Sequence, residues 1–275
     1  MWAAMFDNKA AFIGLIIVVF LILIAIFGRF FVTDPTIGHG HESPPSSEHW
    51  FGTDNLGRDI FSRVIAGTGI SITVGIVGAL VSLIFGTILG AIAGYMGGKI
   101  DTIIMRIMDM VLAIPSILLA ISLIAALGRV YDKTVLAVIA IIVVAIPEFA
   151  RIVRGCVLSE KENDYVQAAK VIGNRDFSII FKHIMPNVMS SLIVRGTLEV
   201  STAILNVAAL GFLGLGVQPP HPEWGTMLSD AHKANAIFSA PYMMIFPGLA
   251  ITITVLAFNM LGDGLRDILD PKSGR

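Results

Sequence analysis

Four ionisable residues stand inside or beside long apolar runs of the sequence, namely Asp109, Glu148, Arg195 and Glu199. A charged side chain in lipid is costly, so such residues face the interior of a helical bundle or a water-filled cavity. Arg195 and Glu199 are four residues apart and can pair on one face of a helix, which favours a structural role for this pair. Asp109 and Glu148 fit either a cavity lining that binds an amino group or a packing contact between helices.

Two amides, Asn206 and Asn259, also fall within apolar runs. Each could face a pathway through the bundle or form a hydrogen bond between helices. Catalysis has no comparable support, because the chain contains no nucleophile elbow, no HExxH motif and no close carboxylate pair beside a base. A membrane enzyme with catalytic residues on separate helices stays a formal alternative, which activity of the isolated chain would reveal.

Neither the glycine-rich stretches nor the histidines form a recognisable ligand site. GFLGLG at 211–216 lacks the soluble βαβ unit of a dinucleotide site, and GGK at 97–99 lacks the first glycine and the Ser/Thr of a phosphate loop. His39, His41 and His49 could capture a metal ion, but they fit a plain polar loop equally, and the other histidines are too scattered to form a ligand spacing. We therefore predict no metal site and no cofactor in this chain.

Composition requires lipid around the elements that carry these residues. Hydrophobic residues make up 55% of the chain and charged residues only 14%, whereas a typical soluble domain carries about 25% charged residues. A helix needs about 20 apolar residues to cross a bilayer. The sequence predicts one all-α polytopic membrane domain over 1–275, with six spans near 10–31, 71–95, 110–128, 134–157, 188–213 and 241–262.

Charge placement predicts the orientation of these spans. With the N-terminus inside, the inner segments hold 13 lysines and arginines and the outer segments hold 6, an asymmetry that marks the cytoplasmic side. Both termini are then cytoplasmic, with no cleaved signal peptide. The connections 33–69 and 214–240 are external, and 159–187 is cytoplasmic. Pro115 is expected to kink the third span, and Pro147 and Glu148 to interrupt the fourth.

The 159–187 connection contains the most informative pattern. DYVQAAKVIG at 164–173 predicts a short helix that is capped by Asp164 and ends before a left-handed Gly173. A second short helix should follow, capped by Asn174 or Asp176 and stopped before Pro186.

One face of the first short helix should carry four residues at helical spacing, with Gln167 and Lys170 to one side: Tyr165, Ala168, Ala169 and Ile172. The paired alanines would let another surface approach the backbone closely. A partner on the cytoplasmic side could dock on this face. An amphipathic connector that lies on the membrane surface would explain the same spacing.

The QAA triplet at 167–169, with Gly173 and HIMPN at 183–187, resembles the EAA loop of the permease subunits of bacterial ABC importers. Gln167 stands where that family usually has Glu. FGTDNLGRDIFSRVIAG at 51–67 is similar to the dipeptide, oligopeptide and nickel branch of the family. ALGFLGLGVQPPHPEWGTMLSDA at 209–231 and FNMLGDGLRDILDP at 258–271 look like its dipeptide members. The resemblance covers about residues 51–271.

This resemblance implies a type I permease in the bacterial plasma (inner) membrane, paired with a second related permease as a heterodimer. Two ATP-binding subunits would hold ATP and Mg, and an extracytoplasmic binding protein would deliver a dipeptide or short peptide, whose amino group Asp109 or Glu148 could bind. No nucleic acid is implied. The segment that couples to the ATPase subunits would comprise Asp164, Tyr165, Val166, Gln167, Ala168, Ala169 and Gly173.

Two alternatives stay open. Import of nickel or of longer oligopeptides fits the same branch of the family, so only the substrate distinguishes it. A stand-alone channel or secondary carrier belongs to another class and needs no ATPase, so copurification of ATP-binding subunits would exclude it.

Overall fold

The computed structural model describes residues 8–38, 40–128 and 131–269. Within these ranges the chain is helical and its only β pairing is two isolated bridges, which confirms the all-α class. The helices are α1 (Lys9–Phe27), α2 (Ile60–Met96), α3 (Gly98–Leu112), α4 (Ser116–Leu127), α5 (Lys133–Glu160), α6 (Asp164–Val171), α7 (Asp176–Ser178), α8 (Met185–Phe212), α9 (Trp224–Lys233), α10 (Ala236–Ser239) and α11 (Tyr242–Leu269).

Five of the described helices are long and apolar enough to cross a membrane, and the bent α3–α4 pair makes a sixth if it counts as one span. The expected spans fall on α1, α2, α3–α4, α5, α8 and α11. The third differs from a single kinked helix, because α3 and α4 meet at 91°. Pro115 directly precedes α4, and a proline has no N–H group with which to continue the helix before it.

The prolines inside two spans do not end their helices. α5 continues through Pro147, so the expected interruption of the fourth span is wrong. α11 likewise continues through Pro247. Both prolines are buried, and within a bundle the neighbouring helices and small local adjustments satisfy the backbone groups that a proline leaves unpaired.

A stripe of small residues determines how α2 packs on α5. The stripe recurs every four positions along one face of α2, at Gly78, Ser82, Gly86, Gly90 and Gly94. A Cβ atom at Gly86 would overlap the side chain of Phe149, and one at Gly90 would overlap the backbone of Ala150. Small residues let two helix backbones approach closely in lipid, where van der Waals packing drives association. The two helices are therefore in direct backbone contact.

A buried group of charges anchors the beginning of α2. Arg58 donates a hydrogen bond from Nε to Oδ2 of Asp54 at 2.7 Å, and its Nη2 atom lies 3.4 Å from Asp230 on α9. Arg63 lies 3.5 Å from the same Asp54 oxygen. Buried charges need partners of opposite sign, and this cluster supplies them while joining the 33–59 connection to α9.

Glu223 caps α9 from a fully buried position. Its carboxylate accepts hydrogen bonds from the backbone N–H groups of Gly225 at 2.8 Å and Thr226 at 2.9 Å. The hydroxyl of Ser71 on α2 lies 3.5 Å away. Burial raises the pKa of Glu223 to about 7, although the two backbone hydrogen bonds lower it. α9 is thus held against the first half of α2, at the opposite end of that helix from α6.

Candidate functional site

The helix predicted at 164–173 is present as α6. Asn163 occupies the cap position, and its side chain makes no capping hydrogen bond, so the prediction of Asp164 as the cap is wrong. Asp164 is exposed in the first turn instead. There its carboxylate interacts favourably with the positive end of the helix dipole.

The end of α6 has the geometry that the sequence predicts. Gly173 is left-handed, with φ of +86°. Its N–H group donates to the carbonyl oxygen of Lys170 at 3.0 Å, and the N–H group of Asn174 donates to that of Ala169 at 3.2 Å. These two bonds form a Schellman motif, which satisfies the last carbonyl groups of a helix and places a glycine just past its end.

The second short helix differs from its prediction at both ends. Arg175 holds the cap position of α7 without a side-chain hydrogen bond, so neither Asn174 nor Asp176 caps it. The helix also does not stop before Pro186, because a π-helical turn, Ile179–Ile184, carries it directly into α8. A proline ring clashes with the carbonyl group four residues earlier, and the wider turn provides the space for it.

The residues that we predicted on one face of α6 are divided between its exposed and buried sides. Val166 and Ala169 are buried and pack against apolar residues of α2, α5, the π-helical turn and α8, among them Val157 and Ile184. Of the four residues that we expected on one docking face, Tyr165, Ala168 and Ile172 are exposed, and only Ala169 is buried. The cause is tertiary, because α6 turns its small apolar stripe towards the spans rather than towards solvent.

Tyr165 connects α6 to the spans α5 and α8. Its hydroxyl donates to Oε1 of Glu160 at 2.6 Å and accepts from Nδ2 of Asn187 at 2.9 Å. Burial and the Glu160 carboxylate raise the pKa of Tyr165. Gln167 stands at the position where the EAA loop usually has glutamate, and it donates from Nε2 to the carbonyl oxygen of Lys161 at 3.1 Å. Both side chains therefore hold α6 in place.

Four apolar residues of this helix–turn segment are exposed. Val171, Ile172 and Phe177 expose 88%, 80% and 71% of their surface, and Ala168 is exposed beside them in sequence. We call these four residues the apolar patch. Exposed apolar patches are typical of interaction sites, so this surface is a candidate for contact with a partner.

Glu148, a predicted pathway residue, belongs to a three-residue ionic group. Nη2 of Arg195 lies 2.5 Å from Oε1 of Glu148 on α5 and 3.1 Å from Oε2 of Glu199. The predicted pairing of Arg195 with Glu199 is confirmed. The Glu148 side chain is half-exposed, whereas that of Glu199 is buried. A groove of about 600 Å³ between α5, α8 and α11 passes Arg195 and Arg266.

Asp109, on α3, contacts α5 one helical turn beyond Glu148. Its carboxylate accepts a hydrogen bond from Nη2 of Arg151 at 2.7 Å, and both side chains are half-exposed. Arg151 follows Glu148 by three residues, so the two ionic contacts lie about one helical turn apart on α5. Asn206 lies elsewhere, in a small crevice between α4, α5 and α8, and Asn259 is half-buried on α11.

Two arginines that we did not predict as functional, Arg151 and Arg154, hold α3 against α5. Besides Arg151, Arg154 donates to both carboxylate oxygens of Asp101 from Nε and Nη2, the latter at 2.6 Å. The available signal was only the residue types, two aspartates on one helix and two arginines on another, because the spacings differ: Asp101 and Asp109 are eight positions apart and Arg151 and Arg154 three.

The histidines of the 33–59 connection do not form a metal site with their described neighbours. His49 pairs with Asp59 at 3.0 Å, and the backbone carbonyl of His41 accepts from Thr53 at 3.0 Å. His39 lies outside the described residues. Across the described part of the chain no three His, Cys, Asp or Glu residues are grouped as metal ligands.

Two family models match the sequence. Residues 86–275 match the model of the inner membrane component of binding-protein-dependent transport systems. Residues 1–45 match the model of the N-terminal transmembrane domain of oligopeptide transport permease C.

Curated relatives agree with these matches. The dipeptide transport system permease protein DppC of Alkalihalophilus pseudofirmus is 51% identical over 96% of this chain and 86% of its own. The glutathione transport system permease protein GsiD of Pectobacterium atrosepticum is 50% identical over 83% of this chain and 74% of its own. GsiD of Escherichia coli O157:H7 is 44% identical over 98% of this chain and 89% of its own. The chain therefore belongs to the family of inner membrane components of binding-protein-dependent transport systems, as an ABC transport permease and not itself an enzyme.

Proposed function

We propose that this permease forms half of the translocation pathway of an ATP-driven importer for dipeptides or short peptides. A second, related permease would supply the other half as a heterodimer. The names of the relatives support the substrate class, because dipeptides and glutathione are both short peptides. The observation that carries the coupling to ATP is α6, a short helix fixed to three spans with an exposed apolar patch.

Two ATP-binding subunits would dock on α6 and hold ATP and Mg. The apolar patch supplies the contact surface, and the 275 residues contain no phosphate loop of their own. Val166 and Ala169 contribute by holding α6 on the spans, and Gly173 by closing its end. Ala168 belongs to the patch, and Asp164, Tyr165 and Gln167 are exposed in the same helix, so all four can reach a partner.

The α6 end of the bundle would face the cytoplasm, together with both termini. The charge count supports this orientation, with 13 of 19 lysines and arginines in the segments assigned to that side. The substrate-binding protein would then meet the opposite end, where α9 and the 33–59 connection are joined by the buried charge cluster.

Peptide recognition within the pathway would involve the exposed carboxylates on α3 and α5. Asp109 on α3 and Glu148 on α5 are half-exposed, and carboxylates of this kind bind the ammonium group of a peptide. Each already has an arginine partner, so an incoming amino group would compete with Arg195 or Arg151. Asn206 and Asn259 are further candidates for pathway contacts.

Site-directed crosslinking and uptake test this proposal together. Cys156 is the only cysteine, so Ala168→Cys in a Cys156→Ser background gives a single reactive position on α6. We expect it to crosslink to a coexpressed ATP-binding subunit. Phe238→Cys, at a residue that is 95% exposed on α10, should not crosslink.

The same complex in proteoliposomes should take up labelled dipeptide only with ATP. Uptake without ATP would indicate a channel or secondary carrier. Uptake of nickel or only of longer peptides would exclude the dipeptide assignment while preserving the architecture.

A further inference from the structure

The last turn of α2 is held by residues on both sides of α6. Lys161, which precedes α6, donates from Nζ to the carbonyl oxygen of Gly94 at 3.2 Å. Asp176, which follows α6, accepts a hydrogen bond from the hydroxyl of Tyr95 at 2.8 Å. Lys170, in α6 itself, places its ammonium group 5.2 Å from the centre of the Tyr95 ring, within the range of a cation–π contact.

The ring of Tyr95 is fixed in position by apolar neighbours. It packs against the cluster that contains Ala91 of α2 and the buried α6 residues Val166 and Ala169. A packed ring restricts where its hydroxyl can point, so the bond to Asp176 is directional. Tyr95, on the span α2, thus contacts α6 through Lys170. It contacts the segment after α6 through Asp176.

α2 ends immediately after this contact. Gly97 and Gly98 both have positive φ, of 66° and 54°, and the chain changes direction there into α3. A left-handed glycine pair separates two helices instead of joining them rigidly. A displacement of Tyr95 by α6 is therefore carried along α2 rather than into α3.

The other end of α2 lies far from α6. The helix has 37 residues, which corresponds to a length of about 55 Å. Its first turns belong to the buried Asp54–Arg58–Arg63–Asp230 cluster, and its small-residue stripe keeps it against α5. A shift of the last turn consequently reaches both α5 and the α9 end of the bundle.

We propose that Tyr95 is a positioning residue that transmits the movement of α6 to α2 through its contacts with Asp176 and Lys170. We call these three residues the Tyr95 clamp. The inference rests on the proposed function, in which ATP-binding subunits move α6. It adds the route by which that movement enters the membrane, along a helix that crosses the whole bundle.

The test measures uptake per ATP hydrolysed in the reconstituted complete transporter. Tyr95→Phe keeps the ring beneath Lys170 and removes the hydroxyl, so the ratio should fall about two- to tenfold, the range expected for one hydrogen bond. Asp176→Ala should produce the same fall, and the double variant should be no worse than either alone, since both remove one interaction. Asp176→Asn retains a carbonyl acceptor and should preserve most of the ratio.

Tyr131→Phe is the matched control, because it removes a tyrosine hydroxyl from the exposed connection between α4 and α5. A normal ratio in Tyr95→Phe, with an intact Ala168→Cys crosslink to the ATP-binding subunit, would overturn the clamp alone. Loss of that crosslink in Tyr95→Phe would also overturn it, because the hydroxyl would then serve docking. Absence of the crosslink in the otherwise unmodified complex would overturn the proposed function and the clamp together.

Discussion

The side-chain amide of Asn187 on α8 donates a hydrogen bond to the hydroxyl oxygen of Tyr165 on α6, at 2.9 Å. The same hydroxyl donates to Glu160 at the end of α5, at 2.6 Å. Asn187 also donates to the carbonyl oxygen of His183 in the π-helical turn, at 3.0 Å, which fixes the direction of its amide. One tyrosine therefore joins α6 to the span before it and the span after it.

Tyr165→Phe should loosen α6 without unfolding the bundle. A hydrogen bond contributes about 0.5–1.5 kcal/mol, so amide exchange within α6 should become about two- to tenfold faster as its local opening becomes easier. Hydrogen–deuterium exchange on the purified chain in detergent measures this, and the amides of α9 provide an internal control. Unchanged exchange in α6 would contradict a tether through the hydroxyl.

Gly173→Val should uncouple ATP hydrolysis from uptake while membrane insertion stays normal. The φ of +86° at this position costs an L-residue about 1–2 kcal/mol, and a β-branched side chain fits it worst. The end of α6 would reorganise and displace Ile172 and Asn174. Parallel assays of uptake and ATP hydrolysis in proteoliposomes measure the uncoupling.

Gly173→Asn is the control for this variant, because asparagine tolerates the left-handed conformation better than other residues do. It should retain most of the coupled uptake. An equal loss with asparagine and valine would show that backbone conformation is not the cause, and unchanged uptake with valine would contradict the proposed geometry.

Local signals in the sequence predicted part of the site. The start of α6 within one residue, the left-handed Gly173 and the Arg195–Glu199 pair all depend on residues at most a few positions apart, where spacing determines geometry. The buried face of α6 could not be obtained in this way. Ala168 and Ala169 are equivalent in type, and only the position of the spans decides that Ala169 is buried and Ala168 exposed.

The contacts between helices were even harder to predict from the sequence. Tyr95 and Asp176 are 81 residues apart, and Arg154 and Asp101 are 53 apart, so no local period connects them. The stripe from Gly78 to Gly94 is different, because its four-residue period is visible in the sequence and is typical of close helix packing in membranes. The period thus indicates a contact face on α2, which we did not predict, and it does not indicate that α5 occupies this face.

Gly90→Ala should destabilise the chain, whereas Gly155→Ala should not. A methyl group at Gly90 would overlap the backbone of Ala150 and the Cβ of Val153, while one at Gly155 on α5 meets nothing within 4 Å. Overpacking costs about 1–3 kcal/mol, and helix propensity favours alanine by up to about 1 kcal/mol at either site. The thermal unfolding midpoint in detergent should fall for Gly90→Ala and stay or rise for Gly155→Ala. Equal midpoints for the two variants would contradict a close contact between α2 and α5.

The buried carboxyl group of Glu223 should make the free energy of unfolding fall as pH rises. Burial raises the pKa of Glu223 from 4.5 to about 7, so in that window the folded chain keeps a proton that the unfolded chain has released. Stability from this group is full below pH 4.5 and lost as pH rises through about 7, a change on the order of 3 kcal/mol. Glu223→Gln should flatten this part of the profile of thermal unfolding midpoint against pH, whereas Glu42→Gln, at an exposed glutamate, should preserve it. A Glu223→Gln profile parallel to that of the unmodified chain would show that the buried proton is not the source of the slope.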